Sequence, residues 1–300
     1  MQKHLESLVT KAGYTKYEPE IFEYFEPFVR NNKRLKKDSL VQIIAQSGDV
    51  LLLRPDATSS IMREIMPLCQ ESDMMKIYYD TSTFSKTNQG MIEEKRQFGI
   101  EVLGQQEGFI EGEVLNLALK TFQTFDLNPI IEVNNNQFIL ALFEALELTD
   151  QQINTLKKLI YYKNQHGIEE FVKTYLDQSI FKSVVKKILA LEGDLAMIND
   201  QLVECAITKT MKESLDNLAV LSAYLEKNDL LKYIRFDLSL MTTYDYYEGL
   251  VFQGYLENTP QAILSGGAYQ PLTKSYGKTL EAIGFTLNTT DLLKEMITNG

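Results

Sequence analysis

The stretch Glu93–Gly104, EEKRQFGIEVLG, alternates with a period of two. Phe98, Ile100 and Val102 fall on one side, and Gln97, Gly99 and Glu101 on the other. The pattern predicts a β-strand with an apolar core face. Its second face carries an amide and a carboxylate on either side of a glycine. A glycine there lets another group lie against the backbone. Gln97 and Glu101 stand about 13 Å apart along a strand, within reach of two ends of a small polar ligand. The same alternation also describes an antiparallel strand with one wet face, and this stretch alone does not separate the two readings.

The flanking sequence supplies the rest of a sheet. Met75–Thr81 reads as a strand, and the polar loop Ser82–Ile92, with Gly90, returns it as an antiparallel hairpin. Upstream, Val41–Ala45 and Val50–Leu53 read as strands joined by a turn at Ser47-Gly48-Asp49. Pro55 ends the second, because it has no N–H for a ladder. Asp56 or Thr58 then caps a helix expected over Ser59–Leu68. A helix over Gln2–Ala12 stops at Gly13, and the aromatic segment Tyr14–Glu23, with Pro19, suits an edge or interface strand. Glu111–Phe125 has the spacing of an amphipathic helix, and Pro129–Val133 reads as a short strand.

From Asn134 to about Lys232 the pattern becomes helical, with a capping-box pair at Thr149 and Gln152. Strand character returns at Tyr233–Leu240, in the run from Ile263 into Gly266-Gly267, and at Ala282–Leu287. A closing helix is expected over Asp291–Thr298. The organisation expected is a core of residues 1–133 and 233–300 interrupted by a helical insertion at 134–232.

Composition narrows the function. A net charge of −11 argues against general nucleic-acid binding, which needs a basic face. Cys69 and Cys205 lie far apart without metal-ligand spacing, so neither a disulfide framework nor a metal site is expected, and a cytoplasmic setting fits. His4 and His166 leave little material for histidine-based catalysis. No stretch reaches membrane-spanning length and no phosphate-binding glycine loop is present, so no membrane partner and no cofactor are expected.

Several separated stretches together resemble the catalytic core of class II aminoacyl-tRNA synthetases, the histidine-specific members in particular. The Pro19 segment is similar to dimer-interface motif 1, Met75–Gly104 to the motif 2 hairpin, and Ala282–Leu292 to the strand and helix of motif 3. Asp245-Tyr246-Tyr247 with Gly249 and Phe252, and Gly266-Gly267-Ala268-Tyr269, resemble the two histidine-specific stretches. The resemblance implies an α+β fold, an antiparallel sheet flanked by helices with a helical insertion. It also implies a histidine pocket made by Asp56, Thr58, Gln97, Glu101, Tyr247 and Tyr269.

The departures are as specific. Where that family carries phosphate-clamping and substrate-binding arginines, this chain has Tyr78, Met91, Thr242 and Asp291, and Gly-Gly-Arg-Tyr-Asp becomes Gly-Gly-Ala-Tyr-Gln. The chain ends at Gly300, and no anticodon-binding domain is expected. A synthetase-like core with these losses resembles the regulatory-subunit family of ATP phosphoribosyltransferase. That resemblance implies a non-catalytic chain with no catalytic residues of its own, in the first step of histidine biosynthesis. Its implied partners are a short-form catalytic subunit, a second copy of itself in a dimer, and L-histidine as feedback effector; tRNA is not expected. The alternatives are a divergent histidyl-tRNA synthetase and a synthetase-like amino-acid sensor with another partner.

Overall fold

The computed structural model describes residues 1–31, 37–70, 74–104, 108–241, 247–257 and 259–298. Thr242, Asp245 and Tyr246, singled out above, lie outside them. Two compact units emerge: Met1–Pro129 with Thr243–Tyr247 and Gly254–Gly300, and Ile130–Thr242 with Glu248–Gln253.

The first unit opens with α1 (Gln2–Lys11), which buries Leu5 and Val9, one turn apart. Gly13, at φ +87°, lets the chain leave the helix end. The expected single edge strand at Tyr14–Glu23 is two short ones, β1 (Thr15–Lys16) and β2 (Phe22–Tyr24), followed by α2 (Phe25–Asn31). Pro19 stands between the two strands and interrupts pairing. Strands β3 (Gln42–Ile44) and β4 (Val50–Leu53) pair antiparallel around the expected turn, with β4 between β2 and β3. Phe28, Leu40 and Leu52 form the small core under this sheet.

After Pro55 the chain enters α3 (Ala57–Ile65), then β5 (Met75–Lys86) and β6 (Ile92–Leu103). The hairpin is longer than expected. β5 continues through Lys86, so the loop shrinks to Thr87–Met91, closed by Thr87 N–H donating to Met91 O at 2.8 Å with Gly90 at φ +80°. Helix α4 (Ile110–Gln123) follows, with Val114, Leu115, Ala118, Leu119 and Phe122 buried.

The second unit begins at β7 (Ile130–Asn135) and is helical through α5 (Gln137–Ala145), α6 (Asp150–Tyr161), α7 (Gln165–Tyr175) and α8 (Lys182–Lys187). The short β8 (Glu192–Gly193), α9 (Leu195–Leu202) and α10 (Lys209–Lys227) complete the helical stretch. The Thr149–Gln152 capping box is formed at the start of α6. Strand β9 (Ile234–Asp237) pairs parallel with β7 and antiparallel with β8, and β10 (Leu250–Tyr255) lies beside β7.

Back in the first unit, β11 (Leu264–Ala268), α11 (Gln270–Ser275), β12 (Ala282–Asn288) and α12 (Thr289–Thr298) close the chain. The sheet order here is β1-β5-β6-β12-β11. It is mixed rather than purely antiparallel: β1 runs parallel to β5, and the other pairs are antiparallel. β1 arrives parallel because the chain makes a long excursion through β2–β4 and α3 before it enters β5. One face is core. Ile283, Phe285 and Leu287 of β12 stand opposite Val102, Ile100 and Phe98, all buried. The other face carries the polar positions, and α3 packs over it.

Candidate functional site

The register decides which side chains share the polar face. Glu101, Gly99 and Gln97 of β6 are flanked by Ile77, Tyr79 and Thr81 of β5, and by Gly284, Thr286 and Asn288 of β12. Directly paired residues project to the same side, so these nine positions form one surface. Gly99 is at its centre, and Glu101, at one end of the middle strand, is 1% exposed.

The loop after β4 brings Asp56 and Thr58 to that surface. Asp56 is extended (φ −147°, ψ 124°), and its side chain accepts the Ser59 N–H at 2.8 Å, capping α3. The cap fixes the first turn of α3, and from it Thr58 Oγ1 donates to Glu101 Oε1 at 2.7 Å. Tyr269, just past β11, is held to the sheet by its N–H bond to Ala282 O, and its hydroxyl donates to Glu101 Oε2 at 2.6 Å. Tyr247, buried as well, lies near enough to Tyr269 to oppose its ionisation. Five of the six residues expected in the pocket therefore gather in one cluster. Gln97, the sixth, is half-buried two positions along the same face.

Burial pushes the Glu101 carboxyl up to about 8, and the Asp56 carboxylate adds to the effect. Hydrogen bonds from Tyr269, Thr58 and Tyr79 pull it partly back. Asp56 is raised by burial and relieved by the Ser59 and Thr58 donors. Burial holds the hydroxyls of Tyr79 and Tyr269 well above the usual tyrosine range, with Glu101 the next cause. Such a site favours a cationic or donor-rich ligand, whose N–H groups replace lost hydration and stabilise the charged carboxylates.

The vacancy over Gly99 is filled from within. A β-carbon there would overlap the Tyr79 ring and come within 2.7 Å of Phe285 O. The Tyr79 hydroxyl pairs with Thr286 Oγ1 at 2.6 Å. Tyr79, Thr286 and Gly284 were not among the expected site residues. The available signal was the hairpin itself: a turn centred on Gln89 pairs residue 79 with residue 99.

The register also places Tyr78. It pairs with Ile100, so it faces the core side, where its ring packs on Phe98 at 5.8 Å between centroids. Tyr78 therefore lies off the Glu101 face. Met91 is at the hairpin tip, 62% exposed. Asp291 holds the start of α12 through a reciprocal pair with Asn288, at 2.6 and 3.1 Å, and a bond from Lys294. Ala268 ends β11 and Gln270 starts α11.

Arg54 was also missed. It is 2% exposed at the end of β4. Its guanidinium donates to the main-chain oxygens of Pro19, Glu20 and Ser82 and to Thr81 Oγ1. It welds the β1–β2 connection and β4 to β5.

This mixed sheet flanked by helices, with its helical insertion, is a class II aminoacyl-tRNA synthetase-like core. The family model for histidyl-tRNA synthetase matches residues 1–292, and the chain belongs to that family. Within it, the resemblance to ATP phosphoribosyltransferase regulatory subunits holds over nearly the whole chain. The chain is 29% identical to the one from Oceanobacillus iheyensis over 301 residues, covering 99% of this chain and 73% of that protein. It is 29% identical to the one from Caldanaerobacter subterraneus over 282 residues, covering 92% and 72%. The crystal structure of an ATP phosphoribosyltransferase regulatory subunit/histidyl-tRNA synthetase from Bacillus halodurans superposes with a TM-score of 0.88 at 26% identity, covering 97% of this chain and 77% of that one. The histidyl-tRNA synthetase of Nostoc shares the fold, with a TM-score of 0.78 at 15% identity, covering 100% of this chain and 71% of that one.

Proposed function

We propose that this chain is a non-catalytic regulatory subunit of ATP phosphoribosyltransferase, required by a short-form catalytic subunit in the first step of histidine biosynthesis, and that it senses histidine at the Glu101 site. The observation that carries the reading is the pairing of a caged, buried carboxylate with the absence of arginine from the strand positions around it. Ile77 and Gly284 flank Glu101 on that face, Tyr79, Thr81, Gln97, Thr286 and Asn288 follow along it, and its first cation is Lys95, six residues down the strand beside Thr83. Arg54 reaches Thr81, but its other donors are spent on main-chain oxygens. Activation of an amino acid on ATP develops charge at the phosphates, and cations must meet it. The ammonium and ring N–H groups of an amino acid such as histidine are matched by what Asp56, Thr58, Glu101, Tyr247 and Tyr269 offer: acceptors for N–H groups and aromatic walls.

Self-association is part of the proposal. Phe22 and Tyr24 of β2 and Ile44 of β3 are 50%, 61% and 78% exposed, an apolar surface that a second copy would cover.

The test mixes the chain with a short-form catalytic subunit and follows phosphoribosyl-ATP. Product that forms only with both chains supports the proposal. ATP–pyrophosphate exchange by this chain alone with histidine would instead establish a synthetase.

A further inference from the structure

We infer that Tyr79 is an internal occupant of the Glu101 site, competing with the ligand for one place, and that the molecule that displaces it is ring-sized and carries N–H or O–H donors. The inference rests on the reading of this site as a ligand pocket. The phenol end of Tyr79 lies in the space that Gly99 leaves open between Gln97 and Glu101. The ring is fully buried, and its hydroxyl is anchored on Thr286 Oγ1 at 2.6 Å. Glu101 meanwhile has each oxygen occupied by a hydroxyl of the chain, Thr58 on one and Tyr269 on the other. In this arrangement the site is self-satisfied: its aromatic guest is the protein's own.

A second arrangement follows from the same geometry. When Tyr79 swings off Gly99, a flat ring fits the vacated slot, and its donors face Glu101 and Thr286. A planar five- or six-membered ring with polar hydrogens, imidazole or phenol, matches that space. Ligand binding and Tyr79 placement are then two ends of one equilibrium, and a ligand shifts it only through its preference for the open form.

The experiment is calorimetric titration of the whole chain with histidine, imidazole and 4-methylphenol, using the wild type and the Tyr79→Ala, Tyr79→Phe and Glu101→Gln variants. With Tyr79→Ala, imidazole and histidine bind tighter by on the order of tenfold, because no internal ring has to leave. In that variant 4-methylphenol, which restores the lost side chain, competes with them; in the wild type it binds more weakly, because Tyr79 has to leave first. Should Tyr79→Ala fail to fold, Tyr79→Phe keeps the ring and loses the hydroxyl's bond to Thr286 together with its interactions with Thr58 and Glu101, and a few-fold gain is expected. Equal or weaker binding by a folded Tyr79 variant, while Glu101→Gln still weakens histidine, would overturn the inference and leave the pocket standing. No effect of Glu101→Gln would remove the pocket itself.

Discussion

Glu101 lies across the Cα of Gly284, its partner on the neighbouring strand, so closely that a β-carbon on residue 284 would fall 2.9 Å from the carboxyl carbon and overlap Oε2. The carboxylate rests flat on bare backbone, where Thr58 and Tyr269 reach it from either side. Gly284→Ala is therefore expected to cost about 1–3 kcal/mol by overpacking and to turn Glu101 away from both hydroxyls. Urea unfolding with unchanged midpoint would contradict this placement.

Tyr269→Phe removes one hydroxyl donor to a buried acid while leaving its shape. The orphaned oxygen should cost about 1–3 kcal/mol. Because the Tyr269 bond favours the charged form, its loss moves Glu101 further up from about 8. Denaturation gives the first quantity, and carbon-13 titration of the Glu101 carboxyl gives the second.

Glu101 keeps its proton in the fold to about pH 8, whereas its ordinary value is 4.5. Between those values the folded chain binds more protons than the unfolded one, so this contribution to stability is present below the window and lost as pH rises through it. Asp56, Glu23, Glu111 and Glu132 are raised too, each first by burial. The difference between Glu101→Gln and wild type isolates Glu101. The variant should gain relative stability steadily from acid pH to about pH 8, and thermal melts across that range would show a flat difference if the account is wrong.

Arg54 holds three main-chain oxygens and one hydroxyl in a buried setting. Arg54→Met keeps the bulk and strands the carbonyls of Pro19, Glu20 and Ser82. A loss of about 3 kcal/mol or more is expected, measured as a drop in melting temperature. A near-neutral result would show that water takes over these groups.

Local chemistry made much of this fold legible in the sequence. The alternation of β6, the stop at Pro55 and the Thr149 capping box are each settled within a few residues and stand as read; of the two caps the sequence offers, Asp56 is the one used, and the helix starts at Ala57 rather than Ser59. What the sequence hid depends on pairing across distance. Tyr79 meets Gly99 only once the hairpin register is known, and Thr286 completes the contact from a strand almost two hundred residues later. Arg54 finds its partners only when the segment at Pro19 and strand β5 at Ser82 converge on it.

The central claim is that histidine acts on a catalytic partner through the Glu101 site. The most direct measurement is phosphoribosyl-ATP formation by a short-form catalytic subunit, titrated with histidine in the presence of the wild-type chain or of Glu101→Gln. The account predicts that both chains activate, that histidine inhibits the wild-type mixture, and that the variant needs on the order of tenfold more histidine. Identical histidine curves for the two chains, or a catalytic subunit indifferent to either, would contradict it.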